Sequence, residues 1–232
     1  SKSAAHRLLI CGALSGGSKI ENIEYSNDIS ATLDCLKALG ADVTINGSSI
    51  TLGGLIPKES GEVTLDCRES GSTLRFLIPL AFLSGRKITF KGSARLFERN
   101  LTVYEKIAND SDILFEKKNN SLTVCGRLAQ NSFKVDGGIS SQFISGLLFA
   151  LPQLSYDSTL EVTGNFESKP YVDLTVDALR KFGVTVLEEG NIYKIKGNQA
   201  FASKNLTVEG DYSNAAFLDG FNLLGGTVTV VG

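Results

Sequence analysis

The sequence predicts an α/β fold of the α+β type, in which three βαβαββ units have a pseudo-three-fold arrangement, with helices inside and sheets outside. Two observations lead to this prediction. Serines that precede apolar helices recur after 67, 70 and 73 residues, at Ser3, Ser70, Ser140 and Ser213. A second, more polar type of helix alternates with these helices. Similarity at a nearly fixed period indicates a repeated architecture.

The serine-led helices are predicted to be buried. In LRFLIPLAFL and FISGLLFAL, apolar residues cover nearly every face of the helix, whereas DLTVDALRKF mixes apolar residues with charged ones. A helix that is apolar on all sides belongs in the interior of a globular protein. The serine-led helices therefore form the centre of the predicted fold.

Each polar helix is followed by two short strands. ATLDCLKALGADVTINGSSITLGG and VDLTVDALRKFGVTVLEEGNIYKIKGN are close copies, and LTVYEKIANDSDILFEKKNNSLTVCGR is a degenerate one. Gly40 and Gly183 are predicted helix C-caps, and NGSS, KKNN and EEGN are predicted hairpin turns.

One more strand precedes each later serine-led helix, in EVTLDC, FKVDGG and NLTVEGD. By this scheme the first strand of the first unit lies before Ser1. Residues 1–211 are predicted to form the three-unit domain. Residues 212–232 are predicted to be the opening helix and strand of a second domain that the chain does not contain.

Composition argues against several classes of partner and site. The chain has 23 Lys and Arg against 25 Asp and Glu, so nothing favours a nucleic acid as partner. No apolar run reaches the roughly 20 residues that span a bilayer, so no membrane partner is predicted. Cys11, Cys35, Cys67 and Cys125 match no zinc or redox spacing, and with a single histidine no metal site is predicted.

The predicted symmetry gathers the starts of the serine-led helices at one end of the domain. Helix N-termini expose unpaired N–H groups and a positive dipole end, which favours phosphates and carboxylates. Any one of the serines alone is more often a simple N-cap. Two sets of residues indicate more than capping: Lys2, Arg7, Gly71, Ser141 and Gln142 beside the serines, and Arg99 and Lys169 just before two of the polar helices. We therefore expect this face to bind a multiply charged anion.

Six motifs, in this order, resemble the 5-enolpyruvylshikimate-3-phosphate (EPSP) synthase family: SKSAAHR, DCRESGSTLRF, LFER, VDGGISSQFISGLL, ESKPYVDLTVDALRKFGV and VEGDYSNAAF. The resemblance covers the whole chain but only about the first half of the family's length. It implies a cytoplasmic enzyme of two domains, each with three βαβαββ units, and an active site in the cleft between them. The implied reaction joins phosphoenolpyruvate to the 5-hydroxyl of shikimate 3-phosphate and releases phosphate, without a metal or organic cofactor.

The resemblance also implies roles for individual residues. The residues implied to hold shikimate 3-phosphate are Lys2, Ser3, Arg7, Ser140, Ser141, Gln142, Ser168 and Tyr171. Those implied to contact phosphoenolpyruvate are Lys2, Gly71, Arg99 and Gln142. The two substrates together carry roughly five to six negative charges, which guanidinium and ammonium groups are suited to balance.

The family's acid and base groups belong to its second domain, so no catalytic residue is expected in this chain. We therefore expect the missing C-terminal domain to be a partner, and the chain alone to bind shikimate 3-phosphate weakly, if at all, without turnover. Two residues depart from the family pattern: Asn100 stands where proline is common, and Glu69 replaces an asparagine-like residue. We expect the Glu69 carboxylate to be rotated away from the phosphoenolpyruvate site.

Two other interpretations remain open at this point. One is the related enolpyruvyl transferase that acts on UDP-N-acetylglucosamine, which typically has a GAKN-like start and a reactive cysteine loop. This chain has SKSAAHR instead, and none of its cysteines lies in such a loop. The other is a non-catalytic, anion-binding half-domain, which only the length of the chain favours.

Overall fold

Three four-stranded sheets with the same strand order form the outside of the molecule. The computed structural model describes residues 1–55, 61–210 and 220–229. In these residues the strands are β1 (Gly17–Glu21), β2 (Ala41–Asn46), β3 (Ser49–Leu55), β4 (Val63–Asp66), β5 (Ile88–Lys91), β6 (Leu114–Lys118), β7 (Ser121–Cys125), β8 (Ser132–Asp136), β9 (Ser158–Thr163), β10 (Val186–Glu189), β11 (Ile192–Ile195) and β12 (Asn205–Thr207). The sheet orders are β12-β1-β3-β2, β4-β5-β7-β6 and β8-β9-β11-β10. In every sheet the first two strands are parallel and the other neighbours antiparallel.

The first sheet is completed by a strand from the far end of the domain. The sequence led us to expect that strand before Ser1, but its position is occupied by β12, in which Asn205 lies opposite Lys19 of β1. A parallel neighbour cannot come from a tight hairpin and must be supplied by a distant segment. Each hairpin is accordingly followed by the first strand of another sheet, and the last of these strands returns to the first sheet. The ring of three units is thereby closed.

The described residues up to 210 contain the α-helices α1 (Lys2–Ser15), α2 (Asn27–Ala38), α3 (Gly71–Ser84), α4 (Ala94–Glu98), α5 (Thr102–Asp110), α6 (Ser141–Ala150) and α7 (Lys169–Lys181). All except the short α4 fall into the two predicted types. The serine-led helices α1, α3 and α6 are largely buried, whereas α2, α5 and α7 each keep an exposed polar face. The predicted fold, with helices inside and sheets outside, is confirmed. Gly40 and Gly183 have φ values of 107° and 82° just after α2 and α7, so the predicted helix ends are confirmed as well.

The leading serines have two different roles at the helix starts. Ser70 and Ser140 are N-caps, and their hydroxyl oxygens accept hydrogen bonds from the backbone N–H groups of Thr73 and Gln142, both at 3.2 Å. Ser3 is not a cap, because α1 begins one residue earlier and Ser1 takes the N-cap position. Its hydroxyl is therefore free of the capping role.

The predicted fourth helix start, Ser213, lies outside the described residues. Of the stretch 212–232, the structure describes residues 220–229. Residues 220–223 are helical, and the expected strand is not seen at residues 226–229. The assignment of this stretch to a second domain stays a prediction.

A chain of buried hydrogen bonds joins the starts of α1, α2 and α3. His6 Nδ1 lies 2.8 Å from Thr32 Oγ1, which lies 2.7 Å from Thr73 Oγ1, and the Thr73 hydroxyl donates to Ser70 Oγ at 2.7 Å. His6 is 2% exposed, and burial lowers its pKa to about 4, although Asp28 acts in the opposite direction. The imidazole is therefore packed and neutral at physiological pH.

The low pKa of His6 predicts a loss of stability in mild acid. Between pH 6.5 and pH 4 the unfolded state binds a proton at His6 that the folded state does not, so the free energy of unfolding decreases as pH falls through this range. The protonation of His6 accounts for a decrease of about 3 kcal/mol in the free energy of unfolding over this range. Urea unfolding at several pH values between 7 and 4 measures the effect. In His6→Gln this contribution should be absent, and parallel pH curves for the two proteins would contradict the prediction.

Gly146 allows α6 to pack closely on α3. A Cβ atom at this position would lie 2.5 Å from the Arg75 carbonyl oxygen and would also collide with Tyr104 Oη. We predict that Gly146→Ala lowers the free energy of unfolding by about 1–3 kcal/mol, because overpacking outweighs the better helix propensity of alanine. Asn109→Ala, on the exposed face of α5, is the control and should be neutral or slightly stabilising. Unfolding in urea tests both variants, and equal stability of Gly146→Ala and wild type would refute the close contact.

Candidate anion-binding site

The N-terminal ends of α1, α3 and α6 meet at a polar cavity of about 360 Å³. The residues that line it are Ser3, Arg7, Ser72, Arg75, Phe76, Arg99, Ser140, Ser141, Gln142 and Tyr171. The predicted convergence of the serine-led helices is thus confirmed. Their first turns contribute hydroxyl groups and the positive ends of their dipoles to one space.

Arg7 is the most deeply buried cation of this cavity. It is 3% exposed. Its Nε donates to Thr175 Oγ1, its Nη1 to the Ser3 carbonyl and its Nη2 to the Tyr171 carbonyl, each at 2.7 Å. A longer contact of 3.4 Å joins Nη2 to Ser145 Oγ. These bonds use four of the five N–H groups of a guanidinium, and the fifth, on Nη1, has no hydrogen-bond partner among the described residues.

The acceptors around Arg7 are all neutral, so its charge is not balanced by a neighbour in the described part of the chain. Burial lowers the pKa of Arg7 to about 10, which still leaves the group charged at neutral pH. The guanidinium carbon also lies 5.1 Å from the centre of the Phe76 ring, a cation–π contact that gives partial compensation. A buried cation without a carboxylate partner favours an anionic ligand.

Gly71 brings the backbone of α3 close to Arg99. A Cβ atom on Gly71 would lie 2.5 Å from Arg99 Nη1 and 3.4 Å from Arg75 Nη1. Any side chain at this position would therefore displace the Arg99 guanidinium. The absence of a side chain at Gly71 thus leaves room for the Arg99 guanidinium beside the backbone of α3.

Arg75 is a cavity residue that our sequence reasoning missed. Its Nη1 donates to Gln142 Oε1 at 2.7 Å, and its Nη2 donates to the Asn100 carbonyl at 3.3 Å. Burial lowers the pKa of Arg75, and the nearby positive charge of Arg99 acts in the same direction. The available signal was spacing, because Arg75 lies one helical turn after Gly71 on a helix that starts at the predicted site.

The cavity is suited to binding an anion and poorly suited to proton transfer. Three guanidinium groups line it, and among the described residues no Asp, Glu or His does. The hydroxyl groups of Ser3, Ser72, Ser140 and Ser141 can donate to oxyanions, but none of the described lining residues is a base that could activate them as nucleophiles. The described residues thus form a binding surface rather than a complete catalytic constellation.

Three of the predicted site residues do not themselves line this cavity: Lys2, Ser168 and Gly71, the last of which lies behind Arg99. The Lys2 ammonium lies 2.9 Å from Asp28 Oδ2, and Lys2 borders a separate cavity of about 300 Å³. Ser168 is half-buried at the start of α7 and makes no side-chain capping bond. The neighbouring Lys169 also points elsewhere, since it pairs with Asp173 and Glu188 at 2.7 and 2.8 Å.

The two departures from the family pattern have structural explanations. Asn100 Oδ1 accepts hydrogen bonds from the backbone N–H and the hydroxyl of Thr102, at 2.8 and 2.6 Å, so it stabilises the start of α5 in place of a proline. Glu69 is exposed and does not line the cavity. The expected rotation of its carboxylate away from the phosphoenolpyruvate site stays a prediction.

Other kinds of site find no support in the described residues. No group of three or more His, Cys, Asp or Glu side chains there could hold a metal ion. Cys11, Cys35 and Cys67 are buried, Cys125 is half-buried, and none of them lines the cavity. Within the same residues, no helix has both the length and the apolar character needed to cross a membrane.

Comparisons with known proteins agree with this geometry. The sequence profile of EPSP synthase (3-phosphoshikimate 1-carboxyvinyltransferase) matches residues 1–232. The chain is 46% identical to the 3-phosphoshikimate 1-carboxyvinyltransferase of Clostridium perfringens (strain SM101 / Type A) over 98% of its own length and 55% of the relative's. It is 44% identical to the enzyme of that name from Clostridium kluyveri, over 100% of this chain and 55% of the relative.

A solved structure shows the same fold. The EPSP synthase of Acinetobacter baumannii superposes with a TM-score of 0.78 at 21% identity, over 94% of this chain and 50% of that one. The chain thus spans about half the length of the curated relatives and solved structures that it matches. On the profile match and the relatives together, the chain belongs to the EPSP synthase family.

Proposed function

We propose that this chain forms the shikimate 3-phosphate-binding half of an enzyme that transfers the enolpyruvyl group of phosphoenolpyruvate to the 5-hydroxyl of shikimate 3-phosphate. The observation that carries the proposal is the cavity at the convergent helix starts, where Arg7, Arg75 and Arg99 have no carboxylate among the described lining residues. Both substrates bear a phosphate and a carboxylate, so they supply the charge that this cavity lacks.

The proposed roles divide the cavity between the two substrates. Shikimate 3-phosphate contacts Ser3, Arg7, Ser140, Ser141 and Tyr171, where hydroxyl groups and the buried guanidinium of Arg7 lie together. Gln142 lies between this group and the phosphoenolpyruvate side, which Gly71 and Arg99 form.

Lys2 and Ser168 complete the proposed site from its edge. Lys2 is 56% exposed in its side chain and its ion pair with Asp28 is a surface contact, which costs about 1 kcal/mol or less to break. Its ammonium can therefore exchange the Asp28 carboxylate for the oxyanions of either substrate. Ser168 contacts shikimate 3-phosphate in the same proposal, since its hydroxyl makes no capping bond at the start of α7.

The proposal assigns proton transfer to the half of the enzyme that this chain does not cover. Among the described residues, the cavity offers no acid or base, and the one histidine is held in the buried hydrogen-bond chain with Thr32. Preorganised cations in this half would stabilise the charge that develops during addition and elimination. The partner of the chain is therefore the C-terminal half, and the chain alone would not turn over. A cytoplasmic location stays a prediction from the family resemblance.

The two alternatives are less well supported. An enzyme of the UDP-N-acetylglucosamine type would use a reactive cysteine, and none of the four cysteines lines the cavity. A non-catalytic, anion-binding half-domain would also use the buried Arg7. The match to an enzyme family along residues 1–232 favours the enzyme over this alternative.

The test is reconstitution of the reaction from its two halves. The purified 232-residue chain is incubated with phosphoenolpyruvate and shikimate 3-phosphate, alone and with the separately expressed C-terminal half of the Clostridium perfringens relative. We expect phosphate release only when both halves are present. Calorimetry with shikimate 3-phosphate and the chain alone should give weak heats or none.

Two results would count against the proposal. Steady phosphate release by the chain alone would show that the catalytic groups are in this half. Absence of both turnover and binding heat with the C-terminal half present would favour a non-catalytic module. The control for this result is that the same C-terminal half restores turnover when it is mixed with the N-terminal half of its own enzyme.

Gly71→Ala tests the phosphoenolpyruvate side of the site. Because the new Cβ would displace Arg99 Nη1, we predict that the KM for phosphoenolpyruvate in the reconstituted enzyme rises about tenfold or more. The KM for shikimate 3-phosphate should change far less. Gly17→Ala is the matched control, since its Cβ would meet only Ser203 Oγ, at 3.6 Å. An unchanged KM for phosphoenolpyruvate in Gly71→Ala would mean that Arg99 does not belong to the phosphoenolpyruvate-binding site.

A further inference from the structure

We infer that Arg75 is a positioning residue, which fixes the side-chain amide of Gln142 so that its nitrogen, and not its oxygen, is offered to the anionic substrate. The inference rests on the proposed function, because it assumes a phosphate-bearing ligand in the cavity. It assigns a role to a residue for which the sequence motifs suggested none.

The contacts of the Gln142 amide determine its orientation. Arg75 Nη1 lies 2.7 Å from Oε1, and Ser72 Oγ lies 3.0 Å from Nε2. A guanidinium has no acceptor, so the amide atom that faces Arg75 must be the oxygen. The nitrogen then donates one hydrogen to Ser72 and, among the described residues, keeps its second hydrogen free for a ligand.

Arg75 is itself held in place by several contacts. Its Nη2 donates to the Asn100 carbonyl at 3.3 Å, its guanidinium carbon lies 5.1 Å from the centre of the Phe143 ring, and its own carbonyl accepts from Tyr104 Oη at 2.7 Å. These contacts come from α5, α6 and the loop before α5. The donor that orients Gln142 is therefore fixed before any ligand arrives.

Loss of Arg75 would free the amide to rotate. In the rotated state the carbonyl oxygen would face the substrate oxyanion, and two acceptors would repel each other where the wild type has a donor and an acceptor. Because Arg75 Nη1 also lies near Gly71, a direct contact between Arg75 and the substrate is the competing explanation. A double-mutant cycle separates the two explanations.

The kinetic test uses the enzyme that consists of this chain and its C-terminal half. Arg75→Met should raise the KM for phosphoenolpyruvate about ten- to hundredfold, with a smaller effect on kcat, since a hydrogen bond to a charged group is at stake. In the Gln142→Ala background the same replacement should change KM by less than about threefold. Arg95→Met removes an exposed arginine of α4 and controls for the loss of one positive charge.

A second measurement does not depend on turnover. In protein labelled with [15N]glutamine, the side-chain amide signal of Gln142 is identified by its loss in Gln142→Ala. We expect this signal to shift or broaden in Arg75→Met and in the more conservative Arg75→Gln, but not in Arg95→Met. If the completed enzyme has no activity, the proposed function fails, and this signal still decides whether Arg75 holds the amide.

Two outcomes would overturn the inference. Equal effects of Arg75→Met with and without Gln142 would mean that Arg75 acts on the substrate independently of the amide. An unchanged Gln142 amide signal in both Arg75 variants would mean that Arg75 does not orient it. If Arg75→Met does not fold, Arg75→Gln takes its place in the kinetic cycle.

Discussion

The burial of the Arg7 guanidinium is the constraint on which the site depends. Its hydrogen bonds reach Ser3 on its own helix, Ser145 on α6 and Thr175 on α7, and it packs on Phe76 of α3. One charged group thus fixes the relative positions of four helices. Because its charge has no acidic neighbour among the described residues, the same packing that orders the helices also creates the demand for an anion.

The residue before Arg7 extends this arrangement to the rest of the helix starts. His6 is connected by hydrogen bonds to Thr32 of α2 and, through it, to Thr73 of α3, while Arg7 donates hydrogen bonds to residues of α6 and α7. Two adjacent polar residues of α1 therefore connect it to α2, α3, α6 and α7. Such networks are costly when only partly satisfied, and the hydroxyl groups of Thr32, Thr73 and Thr175 each have hydrogen-bond partners here.

Much of the fold could be predicted from the sequence because its signals are local and repeated. The period of the serine-led helices, the glycines after α2 and α7 and the polar hairpin turns each depend on a few neighbouring residues. The position of β12 beside β1 could not be predicted in this way, since it depends on closure of the whole ring. Arg75 was missed because its role depends on Gln142, 67 positions away in sequence, and Lys2 pairs with Asp28 through a contact that no motif records.

The closure of the ring by β12 also affects the order in which the domain can form. Asn22 donates to the carbonyl of Val208, a contact between residues 186 positions apart, and β1 pairs with β12 over a similar distance. The other two sheets draw their strands from much shorter stretches of chain. Contacts of high sequence separation form late. During synthesis, the edge of β1 that pairs with β12 therefore stays unpaired until residues 205–207 have been made. Of the three sheets, the one that is begun first is therefore the last to be completed, and until then the unpaired edge of β1 is open to incorrect pairing.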